Sequence, residues 1–422
     1  MSPVLFFDLL LYTVSQTETV SLSYMASEME SKFGIDISKQ ALHERFNADC
    51  VSFLKAVLRE VLSGQFANLY SREMLPDFTR IRIKDSTKFL VPRSLEGEYG
   101  SCGGDVHSRS KASISIQYEF DLKSGEVTDL SLTSGARNDR ADAGETVGNM
   151  EKNDLIIHDS GYFLTPVFER CAEQKAYFFS RLDSSTHVYD ETGTLIDFKK
   201  NYELMQEQGI REQELFVYAG KKTGLPVRLI MQAVPEEVYQ KRIREKTAKS
   251  KGQGRGTLTA ETKARCRFTL FITNAEETQF SGKQVFLLYR LRWQIELQFK
   301  IWKSVYKIAA FREMKKNRYL TLLYTKLLLI IINLQITCSL QQPFNCDTRD
   351  DEIRIISNNK ALKTLKTLFG KVFTMLRGTY RKAMECALYI RDRLSKNHWL
   401  ESKNKKLCLP EILMLIICLS KE

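Results

Sequence analysis

Apolar residues in the first 75 positions recur every three or four residues, with no proline between Pro3 and Pro76, which predicts a helical region. Within it, residues 21–46 (SLSYMASEMESKFGIDISKQALHERF) have the outline of a helix-turn-helix. A first helix would end near Lys32, Gly34 permits the turn, and Ser38 can cap a second helix carrying Lys39, Gln40, His43, Glu44 and Arg45. DNA contact by that second helix and an ordinary helical hairpin fit this stretch equally well. From residue 78 the period changes to two. Residues 78–85 (FTRIRIKD), 112–121 (ASISIQYEFD) and 127–133 alternate apolar and polar side chains, with a turn at 123–125 between the last two. A helix is predicted over 141–150, a buried parallel strand over 154–159 (DLIIHD), and a second helix over 163–174. That order predicts a mixed sheet covered by helices.

Strand-like patterning returns over 176–235, including 214–219 and 227–233. Residues 240–267 hold ten Lys or Arg against two acids, Glu245 and Glu261, and include a glycine-rich segment, 251–256 (KGQGRG). A strand follows at 267–274, then one long helix over 282–306, and helices beyond 316 apart from a polar loop near 341–353. The apolar run at 327–336 follows Lys326 and contains Asn333. It is half the roughly 20 residues of a membrane span, so a buried helix is expected. The apolar start at 3–14 contains Asp8 and lacks a basic leader, which makes it a poor signal peptide.

Charge sharpens this picture. The 63 Lys and Arg residues against 51 Asp and Glu give a net charge of +12, which favours a polyanionic partner, nucleic acid before a membrane surface. A hydrophobic share of 43% with only 8 prolines excludes a collagen-like or mostly disordered chain. Nine cysteines without a CxxC pair and five dispersed histidines support neither a zinc site nor a disulfide scaffold. A reducing cytoplasm is the simplest setting.

Three acids stand where chemistry could gather. Asp85 ends the first alternating strand, Asp159 ends the DLIIHD strand, and Glu296 lies in the long helix. Two carboxylates at strand ends and one from a covering helix can converge at a sheet edge. Such a cluster needs a counter-charge, and its hard oxygens suit Mg²⁺ or Mn²⁺. Tyr289, Arg292, Glu296 and Lys303 are spaced Y-x2-R-x3-E-x6-K, which on one continuous helix places them within roughly 60° of each other. That face offers a carboxylate flanked by two cations and a phenol, suited to phosphates around a scissile bond. A solvated face with an Arg292–Glu296 pair is the plain alternative.

These residues together resemble the DDE transposases of bacterial insertion sequences, the subgroup named for its Tyr-Arg-Glu-Lys signature (the insertion-sequence-four family). The resemblance rests on Lys84–Asp85–Ser86–Thr87, on Asp159–Ser160–Gly161–Tyr162, on Phe271–Ile272–Thr273–Asn274 and on the signature helix, and more loosely on Gly103–Gly104 and Lys111. It implies an α/β fold with an RNase H-like (retroviral-integrase-like) catalytic core, a β-rich insertion, and helical N- and C-terminal regions. The regions expected are a helical DNA-binding part at 1–75, the first part of the core at 76–175, an insertion with a basic tail at 176–266, the rest of the core at 267–335, and a helical C-terminal region at 336–422. Asp85, Asp159 and Glu296 are then the catalytic metal ligands, holding two Mg²⁺ or Mn²⁺ ions. Tyr289, Arg292 and Lys303 hold phosphates, with Lys111, Lys251 and Arg255 as further DNA contacts.

The implied activity is metal-dependent cleavage at the ends of an insertion sequence and strand transfer into target DNA through a hairpin intermediate. A homodimer would pair the terminal inverted repeats, with the protein cytoplasmic and on the nucleoid rather than on a membrane. One departure bears on the hairpin. A flipped base is expected to stack on an aromatic of the insertion, yet Trp293, Trp302 and Trp399 all lie outside it. Tyr177, Phe178, Phe179, Tyr189, Phe216 and Tyr218 are the aromatics that could substitute. A non-catalytic DNA-binding derivative and a general RNase H-like nuclease remain the alternatives.

Overall fold

Four helices lead the chain: α1 (Pro3–Gln16), α2 (Leu22–Phe33), α3 (Lys39–Glu44) and α4 (Ala48–Ser63). The Ser21 hydroxyl accepts the Tyr24 N–H to start α2, and Gly34, at φ +66°, ends it in the left-handed conformation that a residue without Cβ adopts cheaply. Ser38 caps α3 by accepting the Ala41 N–H. The expected turn chemistry is present, but α3 is short and exposes only Lys39, Gln40 and Glu44.

The computed structural model describes residues 1–16, 20–64, 75–101, 110–220, 224–252, 254, 256–346, 355–401, 411–413 and 415–416. The chain forms two compact units: Met1–Met74 with Asp85–Arg137 and Trp293–Cys418, and Leu75–Lys84 with Asn138–Arg292 and Leu419–Glu422.

In the first unit the antiparallel hairpin of β2 (Ser113–Asp121) and β3 (Val127–Ser134) packs beneath α11 (Trp293–Ser304). Trp302 is wholly buried, edge-on to Tyr118 at 4.8 Å and to Phe299 at 5.5 Å. Helix α12 (Lys316–Cys346) packs against α1 and α4. Its Lys316–Gln341 stretch is long and apolar enough to cross a membrane, but 89% of its most apolar window is buried inside the protein, as in a core helix. Helices α13 (Asn358–Thr367), α14 (Phe369–Arg377) and α15 (Tyr380–Asn397) complete the unit. The buried Asp8 carboxylate on α1 is paired with Arg377 at 2.8 Å.

The second unit is built on parallel strands. The first half of β1 (Arg80–Leu90) pairs with β4 (Asp154–His158), from Arg80↔Asp154 to Ile83↔Ile157. Strand β5 (Tyr177–Arg181) runs parallel to β4, and β9 (Phe268–Thr273), β8 (Leu225–Ala233), β7 (Glu212–Ala219) and β6 (Val188–Tyr189) follow antiparallel. The strand order is β3-β2-β1-β4-β5-β9-β8-β7-β6. Helices α5 (Asp139–Thr146), α6 (Thr165–Glu173), α7 (Phe198–Glu207), α8 (Glu236–Gly252), α9 (Ala260–Cys266) and α10 (Gly282–Leu291) belong to this unit. Phe168 of α6 stacks on Phe178 of β5 at 4.3 Å in a core continued by Val217, Leu229 and Ile272.

Several sequence expectations change here. Asp85 does not end its strand, because β1 continues to Leu90. The long helix expected over 282–306 is two helices. Arg292, between them, donates its N–H to Tyr289 O, the tighter three-residue bond that closes α10. The signature therefore spans two helices, and a single helical wheel does not describe its four residues. The stretch expected as an insertion contains helix α7 and contributes β5 to β8 to the same sheet as β4. The basic stretch is largely helical, as α8 and α9.

Candidate active site

Parallel pairing sets the position of Asp159, which lies two residues beyond Ile157, the β4 partner of Ile83. The five residues of β4 are all buried, and Asp159, the first residue beyond them, is half-buried ahead of a 3₁₀ turn at Ser160–Tyr162. Its Oδ1 accepts a hydrogen bond of 2.8 Å from the Tyr289 hydroxyl on α10. The Tyr289 ring packs on Phe271 at 4.9 Å and Phe179 at 6.1 Å. Burial, reinforced by the Asp159 charge, pushes its phenol up to about 12, so the ring remains a donor to that carboxylate.

Two guanidiniums flank the same ring, Arg292 at 5.4 Å and Arg181 at 5.8 Å from its centroid. Arg181 ends β5 and was not singled out in the sequence; its one signal is its place at the end of the YFFSR strand. Helix α10 is held at its start by a Ser281–Gln284 capping box. Arg228 of β8 clamps the segment before it, pairing with Glu214 at 2.9 Å and donating to the carbonyls of Ala275 and Phe280. At Gly282 a Cβ would meet only the end of the Glu214 side chain, so a larger residue there would displace that carboxylate from its place beside Arg228.

The residue before Asp85 points into the protein instead. Lys84 is wholly buried and pairs with Asp142 of α5 at 2.6 Å. Asp85 is half-buried and accepts the Ser86 N–H at 2.8 Å. His158 lies in β4 against Tyr162, 5.4 Å between ring centroids. Burial first, then the charges of Lys84 and Arg82, push its pKa down to about 3, which leaves a neutral imidazole.

Glu296 is half-buried in the first turn of α11, where a carboxylate complements the helix dipole. Lys303 on the same helix is exposed, with its Nζ 3.4 Å from Lys88 O, and desolvation holds its pKa below the ordinary lysine value. Lys111 is exposed ahead of β2 and Lys251 near the end of α8, whereas Arg255 lies outside the described residues. The structure thus joins Tyr289 to Asp159, with Arg292 over the same ring. Among the described residues no group of three or more His, Cys, Asp and Glu side chains is disposed to hold a metal ion. As a donor set, three carboxylates offer only hard oxygen ligands, the chemistry that Mg²⁺ and Mn²⁺ require.

Residues 76–334 match the transposase DDE domain family, well over half of the chain. The chain belongs to the DDE transposases of bacterial insertion sequences. It is 31% identical over 325 residues to the transposase of insertion sequence element IS231F from Bacillus thuringiensis subsp. israelensis, covering 73% of this chain and 67% of that one. The transposase of IS1151 from Clostridium perfringens is 30% identical over 350 residues, covering 77% and 72%. A cryo-EM structure of a piggyBac transposase synaptic complex with hairpin DNA overlays with a TM-score of 0.41 at 11% identity, covering 96% of this chain and 77% of that one. A likeness that slight bears on neither fold nor activity. As a DDE transposase the chain is an enzyme that acts on DNA.

For a transposase that turns a flipped base onto an aromatic, the candidates in 176–235 are now sorted by burial. Phe178 and Phe179 are core residues, while Phe216 on β7 is 51% exposed and edge-on to Tyr218.

Proposed function

We propose that this transposase cuts the ends of its insertion sequence and joins them to target DNA, with Asp85, Asp159 and Glu296 as the metal-binding acids of an RNase H-like core. The observation that carries this reading is the Tyr289–Asp159 hydrogen bond, which ties the signature helix to the strand-end acid. The strand order β3-β2-β1-β4-β5, with β2 and β3 antiparallel and β1, β4 and β5 parallel, supports an RNase H-like core. Two divalent ions, Mg²⁺ or Mn²⁺, would supply activation of the attacking oxygen and stabilisation of the leaving oxygen when bound.

The chain's own residues supply the rest. Tyr289 orients the Asp159 carboxylate through its hydroxyl and, with Arg292, presents a polar and cationic edge to the DNA phosphates. Lys303 adds a point charge on α11. Lys111, Lys251 and Arg255 would hold DNA farther along, as sequence-independent backbone contacts. Water and then the freed 3′-hydroxyl attack the scissile phosphates in turn. A hairpin intermediate would place a flipped base on Phe216, the exposed aromatic of β7. Each DNA end needs its own active site, so a homodimer on paired ends is the assembly that completes the reaction, on nucleoid DNA in the cytoplasm.

The test is a product analysis. Purified protein is incubated with a duplex carrying the element's terminal inverted repeat, with and without Mg²⁺, and resolved on a denaturing gel. End-specific nicks, hairpins and joined products that require the ion are expected. Specific binding with no cleavage in Mg²⁺ or Mn²⁺ would show a non-catalytic derivative. Cleavage without preference for the ends would show a general nuclease.

A further inference from the structure

We propose that Arg181 is an additional phosphate-binding residue of the cleavage site, gripping the DNA backbone beside Tyr289. The inference rests on the reading of Asp159 as a residue of that site.

Register gives Arg181 its position. His158 of β4 pairs with Ser180 of β5 in parallel, so the next residues, Asp159 and Arg181, leave the carboxyl ends of neighbouring strands side by side. Carboxyl ends of parallel strands are where α/β sheets place ligands. The Arg181 guanidinium lies 5.8 Å over the ring of Tyr289, whose hydroxyl holds Asp159 at 2.8 Å.

Its bonding sets it apart from Arg228, Arg242 and Arg265 of its unit. Arg228 pairs with Glu214 and two carbonyls, Arg242 donates to Phe268 O at 2.6 Å and to Thr269 Oγ1 at 3.0 Å, and Arg265 donates to Thr186 O at 2.7 Å and to Glu261. Arg181 is half-buried, and among the described residues its guanidinium meets no hydrogen-bond acceptor and no carboxylate; the aromatic face of Tyr289 is its contact. A half-buried guanidinium keeps most of its donors unmatched at a cost unless an anion arrives. The neighbouring Asp159 carboxylate is engaged by the Tyr289 hydroxyl, and a second cation shares that ring. Arg292 sits over the same ring at 5.4 Å, and the positive charge of Arg181 contributes to lowering the pKa of Arg242, after desolvation. Like charges gathered at a strand end are relieved by an anion between them. In an enzyme that acts on DNA, that anion is a phosphodiester, whose two oxygens fit the guanidinium fork.

The experiment uses the full chain and a labelled duplex carrying the terminal repeat. Binding is followed by anisotropy across a salt series in EDTA, so that no metal-dependent chemistry contributes. Arg181→Gln should bind five- to tenfold more weakly, and the slope of log K against log salt should fall by about 0.9, the loss of one phosphate contact. Arg181→Lys should keep the slope. Wild-type affinity and slope in Arg181→Gln would overturn the proposal, as would weaker binding with an unchanged slope, which marks structural damage. The underlying reading has a separate test. Asp159→Asn must abolish Mg²⁺-dependent nicking. If it nicks normally the site reading falls, and if it is inactive while Arg181→Gln binds as wild type, only the Arg181 proposal falls.

Discussion

Replacing Lys84 by Met is the sharpest test of how β1 is held. The Lys84 Nζ lies 2.6 Å from Asp142 Oδ2, and the two side chains are 0% and 4% exposed. At an effective dielectric of about 20, opposite charges at that distance attract by roughly 6 kcal/mol. Desolvating each ion costs several kcal/mol, so the intact pair contributes little net stability. Removing one partner is different, because the Asp142 carboxylate would stay buried while losing the charge of Lys84. The expected cost is about 3–5 kcal/mol, a large part of the stability of an ordinary domain. Urea unfolding followed by circular dichroism should show a lower midpoint with an unchanged slope. The double variant Lys84→Met with Asp142→Leu removes both charges and should recover to within about 1–2 kcal/mol of wild type. A single variant as stable as wild type, or a double variant less stable than either single one, would refute the reasoning.

Other outcomes follow from the same geometry. Tyr289→Phe keeps the ring packing on Phe271 and removes one hydroxyl bond to a carboxylate, so cleavage should slow by about five- to thirtyfold with end binding retained, measured in single-turnover nicking assays. Its phenol titrates only near 12 in the folded chain, against about 10 when unfolded, so the protonated donor is kept across the working range and is lost only as pH rises past both values. Arg228→Met should strip the clamp on the segment leading into α10, lowering the melting temperature by several degrees and raising amide exchange around Ala275–Phe280; unchanged exchange would count against the clamp. Trp302→Ala leaves a cavity beside Tyr118 and Phe299 and should cost about 3–5 kcal/mol by denaturant unfolding.

Elements whose patterns are local were legible in the chain. The DLIIHD run is a buried parallel strand because both its faces are covered, and Ser21, Gly34 and Ser38 do in space what their chemistry suggests. What depended on contacts between distant segments was not. FTRIRIKD alternates up to Asp85, but the strand runs on to Leu90 through polar residues, because strand length is set by pairing as well as by alternation. The break at Arg292 lies within a good helical pattern, and α7 was hidden among strand-like neighbours. At the site, the spacing of Tyr289, Arg292, Glu296 and Lys303 was readable. Arg181, Arg228 and the Lys84–Asp142 pair were not, since each draws its role from a partner far away in sequence. Residue type alone gives no sign that Arg228 is satisfied by carbonyls and that, among the described residues, Arg181 meets none.

The measurement that tests the central claim most directly is end-specific nicking by wild type, Asp159→Asn and Glu296→Gln in Mg²⁺, with binding to the same terminal-repeat duplex measured alongside. Nicking by wild type, none by either variant, and end affinity within a few-fold for all three is the result expected if these carboxylates hold the catalytic ions. Nicking at wild-type rates by either variant would contradict it.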